Sequence, residues 1–316
     1  DARLALEGLP WEYGDAAEMQ RLSAKYAGAD QGKVTRVFGA NFIGRMSGKV
    51  VEAFVAKADL LAASPAYSDQ SGVDWKTAAA SAAKVLNHIG GVDGMDPTGW
   101  TWYCNVDDIE KLSPTESPAE ILWRGERAKS LSLEEDNFPP TLYGNGRINP
   151  TQNLVDAFPM LNGYPVSHLS GEYDENLPYA NRDPRLEAYI LYNGCKAGNT
   201  NKEIFTAADG TTNDALNKVV GRSTRTGYYL RKLLRQDISL DPNAKADQYH
   251  YTPRIRYTEI FLAYAEAANQ AYGPQDKGGN GYSAYDVVKK LRHRAGIGRD
   301  NGDAYLESIK NDQAKM

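Results

Sequence analysis

Residues 253–296 read PRIRYTEIFLAYAEAANQAYGPQDKGGNGYSAYDVVKKLRHRAG, and this stretch decides the fold. Tyr257, Ile260, Phe261, Tyr264, Ala268 and Ala271 recur at steps of three and four, which places them on one face of a helix. Ala263, Ala265, Ala267 and Ala268 leave little bulk, so a partner helix can approach closely. Gly273-Pro274 stops the run, first with a residue tolerant of positive φ and then with one that has no N–H. A second helix starts at Ser283, where Asp286 three residues on completes a capping-box pattern. Its apolar stripe is Ala284, Val287, Val288, Leu291 and Ala295, and Gly296 is a natural terminator.

A helical hairpin cannot bury its apolar face alone, so a second copy is expected elsewhere in the chain. Ser47–Ser64 supplies it, with Val50, Val51, Phe54, Ala58 and Leu61 in helical register and Pro65 barring continuation. Asp74 then caps WKTAAASAAKVLNHIG, in which Ala78, Ala82, Val85, Leu86 and Ile89 face inward and Gly90 ends the helix. The two pairs resemble tetratricopeptide-type helical hairpins. The expected fold is mainly α, with a long irregular region and a few short strands.

Composition narrows the function. The 316 residues suffice for a large core. Lys+Arg 36 against Asp+Glu 41 gives a net charge of -5, and no positive field exists to collect phosphates, which disfavours nucleic-acid binding. No run approaches the roughly 20 apolar residues of a membrane span. Cys104 and Cys195 form no framework and no metal-ligand spacing; one bridge or two free thiols are both compatible with the sequence. The sequence opens at Asp1 without an initiator Met or signal peptide, and its last helical pattern breaks off uncapped, as expected of an internal piece of a longer protein.

In chain order, the whole of 1–316 is expected to form one domain. Asp15, with Glu18 at the reciprocal capping position, starts a short helix that stops near Gly28. A helical hairpin occupies 44–90, a loop-rich ligand face 91–252, a second hairpin 253–298, and a further helix opens at 303–316. Within 91–252, Gly, Pro, Asn and Asp interrupt the chain every few residues. Glu120–Trp123 and Arg185–Asn193 read as strands, and Thr226–Leu234 as a strand or a helix start. Thr151 caps a short helix with Leu154, Val155 and Phe158 inward and Pro159 ending it. So long an irregular stretch is uncommon without a function of its own, and loops on a rigid frame usually carry binding.

Several segments in this order resemble one family. PTQNLVDAFPMLNGYPV (150–166), PYANRDPRL (178–186), TGYYLRKLL (226–234), RYTEIFLAYAEAANQAYG and DVVKKLRHRAGIG are similar to the SusD/RagB family of nutrient-binding outer-membrane lipoproteins, as is LLAASPAY (60–67). The resemblance implies tetratricopeptide-like pairs with an irregular ligand-binding face. It also implies lipid tethering outside the outer membrane of a Bacteroidetes-type bacterium and partnership with a TonB-dependent, SusC-like transporter that imports glycans or peptides. The family's lipidated N-terminal cysteine, its first helices and the segment expected after Met316 lie outside this sequence, and no binding residue carries over by motif.

The residues themselves point to binding without catalysis. Twenty Tyr and five Trp outnumber seven Phe, and rings with a polar edge suit the CH faces and hydroxyl rims of sugars. Trp100, Trp102 and Tyr103 form the densest cluster; strand-like spacing would point Trp100 and Trp102 the same way as a stacking platform, against the reading that they anchor the loop. Tyr143 in PPTLYGNGR is an exposed-loop candidate, while Trp75 and Trp123 read as core. His88, His168, His250 and His293 are dispersed and no nucleophile motif occurs, so neither a metal nor another cofactor is expected. Glu134, Glu135 and Asp136 read as solvated charge, since adjacency does not set two carboxylates across a cleft. Gly278–Gly281 lacks a phosphate-loop pattern and reads as a linker. The basic run Lys289, Lys290, Arg292, His293 and Arg294 complements its helix dipole on the outer face, and Arg182, Asp183 and Arg185 form a structural clamp. Glycan capture is the leading expectation; a tetratricopeptide-like scaffold that binds a peptide or protein is the alternative.

Overall fold

The computed structural model describes residues 8–26 and 30–316. Two amino-proximal helices, α1 (Ala16–Lys25) and α2 (Gln31–Phe38), lead into α3 (Gly48–Ala63), the single turn α4 (Ser68–Ser71) and α5 (Trp75–Asn87). Then come α6 (Val106–Ile109), β1 (Ile121–Ser130), α7 (Ser132–Asn137), α8 (Gln152–Ala157), α9 (Pro184–Tyr189) and the short strands β2 (Ile190–Leu191), β3 (Cys195–Ala197), β4 (Lys202–Ile204) and β5 (Tyr229–Leu230). The chain closes with β6 (Gln248–Arg256), α10 (Tyr257–Tyr272), α11 (Ala284–Arg294) and α12 (Ala304–Ile309).

The main core lies where α3, α5, α10 and α11 meet. Alanines fill it: Ala53, Ala56, Ala79, Ala82, Ala267 and Ala268 are fully buried, so the backbones sit close and Leu86, Ile260, Phe261 and Tyr264 plug the remaining space. This packing corrects the face expected for α3. Phe54, Ala58 and Leu61 point to the surface, and Val50, Ala53, Ala56 and Ala63 face the partners, because close approach to α5 selects the small residues over the large ones. The Ser283–Asp286 capping box forms with both reciprocal bonds. Tyr264 Oη donates to the Tyr282 carbonyl at 2.6 Å and Tyr282 Oη donates to Asn87 Oδ1 at 3.2 Å, which joins the two hairpins.

Three two-stranded antiparallel ribbons occupy the region between the hairpins. The long one pairs β1 with β6, Ile121 opposite Arg256 and Ser130 opposite Gln248, with bulges around residues 123–127 that bend it. A second core forms from Phe138, Leu142, Leu191, Ile204, Tyr229 and Leu234, so much of the irregular region packs on itself. Thr224 knots that region: its hydroxyl accepts from the Thr226, Gly227 and Tyr228 amides and donates to the Tyr228 carbonyl.

Other expectations also need correction. The strand expected at 120–123 runs on to Ser130, because bulges absorb the break in alternation at Gly125. Arg185–Asn193 is largely helix: Asp183 caps it, Pro184 supplies the preset φ of a first helical turn, and only Ile190–Leu191 extends. Leu154 of α8 is exposed, whereas Val155 is buried. Asp15 caps α1, but Glu18 reaches back to the Trp11 amide at 2.6 Å. The helix ends at Lys25, and Gly28 lies outside the described residues.

Candidate functional site

The site is built around Glu120, which is buried at the junction of ribbon, helices and loop. Its Oε1 accepts from Arg256 Nη2 at 3.0 Å, from the Thr258 amide at 3.1 Å and from the Thr258 hydroxyl; its Oε2 accepts from Arg294 Nη1 at 3.3 Å. The same two arginines reach the 91–105 loop, Arg256 Nη2 to the Gly99 carbonyl and Arg294 Nη1 to the Asp96 carbonyl, each at 3.0 Å. Gly99 is required here, since a Cβ would collide with the Glu120 carboxylate and lie 2.9 Å from Arg294 Nη1. The basic run is therefore split in role: Arg294 is buried against Glu120, and Arg292 forms a two-pronged pair with Asp303 at 2.6 and 2.8 Å. Neither serves mainly to solvate an outer face.

That junction fixes the aromatic loop against the ribbon. The Tyr103 hydroxyl donates to the Ala188 carbonyl at 2.9 Å, and the Tyr189 hydroxyl donates to the Trp100 carbonyl at 2.7 Å. Trp102 and Tyr103 meet edge to face, 5.8 Å between centroids at 85°, and bury with Ile109, Ile121 and Tyr251. Beside them a groove of about 540 Å³ opens between β1, β6, α7 and the Leu233–Arg235 turn. Trp102, Tyr103, Tyr249, His250, Arg235 and Asp136 are among the residues that line it.

Electrostatically the groove is held by Glu134 and Arg235. Glu134 is fully buried rather than solvated: its Oε1 accepts from the Arg235 amide at 2.8 Å and lies 3.0 Å from His250 Nε2. Arg235, itself 1% exposed, pairs with both oxygens of Asp237 and donates to the Tyr249 carbonyl at 3.0 Å. Arg127 stacks on Tyr249 with its guanidinium 3.6 Å from the ring centroid and donates to the Tyr251 hydroxyl. The indole N–H of Trp102 has no acceptor within the described residues, although the side chain is only 4% exposed. A buried donor left unpaired costs about 1–3 kcal/mol, and this one is closed to solvent.

The groove thus brings together Trp102 and Tyr103 of the four expected residues and leaves Trp100 and Tyr143 out of its lining. Trp100 is half-buried and held through its carbonyl. Tyr143 is exposed at the end of a 3₁₀ turn, with φ 66° and Lys202 Nζ 5.5 Å from its ring. Trp102 is too deeply buried to stack a sugar on its face, and its indole N–H is buried as well. Tyr249, His250 and Arg235 are not singled out by the sequence reading; the strand-like alternation of aromatic and polar residues in QYHYTPRIR could have marked the first two, and nothing local marks Arg235. Arg182 donates to the Val155, Phe158 and Pro178 carbonyls and Arg185 grips Asp183, which is the expected clamp. No group of three or more His, Cys, Asp or Glu among the described residues is placed to hold a metal ion. Both cysteines are free, and burial pushes the Cys195 thiol up to about 11.

Tetratricopeptide-like helical pairs that frame a long irregular region define a fold shared by one protein family. The pattern of the SusD family matches residues 123–314, more than half of the chain, and the chain belongs to that family. It superposes on a SusD-like carbohydrate binding protein from Bacteroides fragilis NCTC 9343 with a TM-score of 0.62 at 17% identity, covering 99% of this chain and 61% of that one. A second SusD-like protein from the same organism gives 0.57 at 20% identity, covering 95% of this chain and 55% of that one. The chain therefore spans about three fifths of the length of the solved structures it matches. No curated protein matches it. No described helix is long and apolar enough to cross a membrane.

Proposed function

We propose that this chain captures a glycan without changing it, holds it in the groove between the aromatic loop and the β1–β6 ribbon, and serves delivery to a TonB-dependent transporter at the bacterial outer surface. The observation that carries the reading is a groove on a SusD-family fold with Trp102 among its lining residues, whose buried indole N–H has no acceptor among the described residues. In this reading the ligand uncovers the indole edge and a sugar hydroxyl accepts its hydrogen bond, while Tyr249 and the serines at 130 and 132 supply further polar partners; both ring nitrogens of His250 are already engaged, by the Gln248 carbonyl and by Glu134. The carbohydrate-binding relative supports the ligand class. Family membership supports the surface location and the transporter partner.

Calorimetry against a panel of plant and host polysaccharides tests the reading. Binding to at least one glycan is expected, weakened roughly 3- to 10-fold by Trp102→Phe, which keeps the ring and removes one neutral hydrogen bond. A reducing-sugar assay should stay flat for the same glycans. Binding to unstructured peptides with none to glycans would favour a peptide-holding scaffold, and turnover of any glycan would show an enzyme.

A further inference from the structure

Tyr189, whose hydroxyl secures the aromatic loop, carries the ammonium of Lys232 over its ring with Nζ 4.6 Å from the centroid. Lys232 is half-buried, and its ammonium has no hydrogen-bond or carboxylate partner among the described residues. Burial first, and then the nearby guanidinium groups of Arg256 and Arg185, hold its pKa below the ordinary lysine value. Arg185 is paired with Asp183 at 2.7 Å, and Arg256 shares the single Glu120 carboxylate with Arg294, so no carboxylate is left over for Lys232 from these pairs. Lys232 is thus a cation among cations with no counterion of its own.

Two cavities open on this ammonium. One, of about 410 Å³, has largely apolar walls that include Leu154, Phe158, Ile190 and Leu230 with Arg185 at its side. The other, of about 560 Å³, is edged by Lys57, Arg254 and Arg256 and by the carboxylates of Glu259, which pairs with Lys57 at 2.6 Å, and Glu266, so the first cavity is the one an anion would favour. An uncompensated, partly desolvated ammonium is unfavourable unless an anion completes it. A phosphate or sulfate is usually held by several convergent donors, whereas here Lys232 is the one cation without a carboxylate partner, the neighbouring Arg185 being gripped by Asp183. That chemistry matches a single carboxylate attached to a body with a CH-rich face.

We propose that Lys232 marks a subsite for the carboxylate of a hexuronic acid, so that the captured glycan is acidic. The proposal rests on the glycan-capture reading above. In it, the carboxylate pairs with Lys232 Nζ and the CH face of the sugar lies on the apolar wall around Ile190 and Leu230. Asp183 also lines this cavity, and its charge is already taken up by Arg185, so it does not repel the ligand.

The test is a titration of the full chain and its Lys232→Met and Lys232→Arg variants with trigalacturonate, neutral galactotriose, D-galacturonate and N-acetyl-leucine. Thermal melts of both variants confirm folding. The expected result is that the wild type prefers trigalacturonate to galactotriose by about tenfold or more, the scale of one charge-assisted hydrogen bond. Lys232→Met abolishes the preference, Lys232→Arg retains most of it, and 0.5 M salt reduces it. Equal affinity for acidic and neutral sugars, or an acid preference that survives Lys232→Met, overturns the subsite. Tighter binding of N-acetyl-leucine than of D-galacturonate also overturns it, because the carboxylate would then belong to a peptide. Neutral glycan bound through Trp102 with no acid preference leaves the capture reading standing alone. Lys232-dependent binding of D-galacturonate with no polysaccharide bound leaves the subsite standing and removes capture.

Discussion

Truncating Glu120 to alanine removes the one carboxylate that neutralises two arginines at the junction of loop, ribbon and helices. Four polar contacts go with it, two from Thr258 and one each from Arg256 and Arg294. Arg256 remains one-fifth exposed and can recover some water. Arg294 cannot, because its side chain is only 5% exposed and keeps just the Asp96 carbonyl and the Thr258 hydroxyl as acceptors. Leaving a buried charge unpaired costs about 3–5 kcal/mol. At roughly 2–4 °C per kcal/mol for a domain of this order, the melting temperature should fall by on the order of 10 °C. Chemical denaturation, read by both Trp fluorescence and circular dichroism, measures the loss. Adding Arg294→Met to Glu120→Ala should recover at least half of it, since the uncompensated charge and not the missing contacts dominates. A loss below about 1 kcal/mol for Glu120→Ala, or no recovery in the double variant, would refute the reasoning.

Further outcomes follow from the same packing. Leu86→Ala opens a hole among alanines that cannot collapse to fill it, and should cost about 3–5 kcal/mol in denaturant titration. Glu307 accepts hydrogen bonds from Tyr285, Lys289 and Lys310, which hold its carboxyl down at about 2 against an ordinary 4.5. A lowered folded-state value means that its stabilisation is fully present above pH 4.5 and is lost as pH falls towards 2. Glu307→Gln should therefore flatten the stability profile over that window while changing its shape little above it. Gly99→Ala should both destabilise the chain and weaken glycan binding, because the added methyl pushes on the Glu120 carboxylate that positions the loop.

The helices and their caps were legible in the sequence because period, cap residue and terminator agree at Ser283, Asp74 and Thr151. The buried face of α3 was not, since hydrophobicity favours Phe54 and Leu61 over Ala53 and Ala56, whereas close helix approach favours the reverse. Long-range partners set the remainder. Nothing near Glu134 in sequence announces the Arg235 amide or His250, each a hundred residues or more away, and so its burial was unreadable. Trp102 and Tyr103 stand out in the sequence as an aromatic cluster, but only their packing on Ile121 and Tyr251 shows that the face of Trp102 is covered and not open for stacking. Tyr249 and Tyr251 do alternate along β6, but Pro253 cuts the pattern short, and only pairing with β1 shows that this stretch lines a groove. Lys232 read as part of a family segment, and its lack of a counterion emerges only where Tyr189, Arg185 and Arg256 converge.

Hydroxyl-radical footprinting of the chain with and without a bound oligosaccharide tests the central claim most directly. Protection should centre on Tyr249 and on the β1 segment 126–130, with Tyr143 and the exposed Phe54 of α3 unchanged. Protection that instead falls on Tyr143, or along the exposed faces of α3 and α10 with the groove untouched, would contradict it.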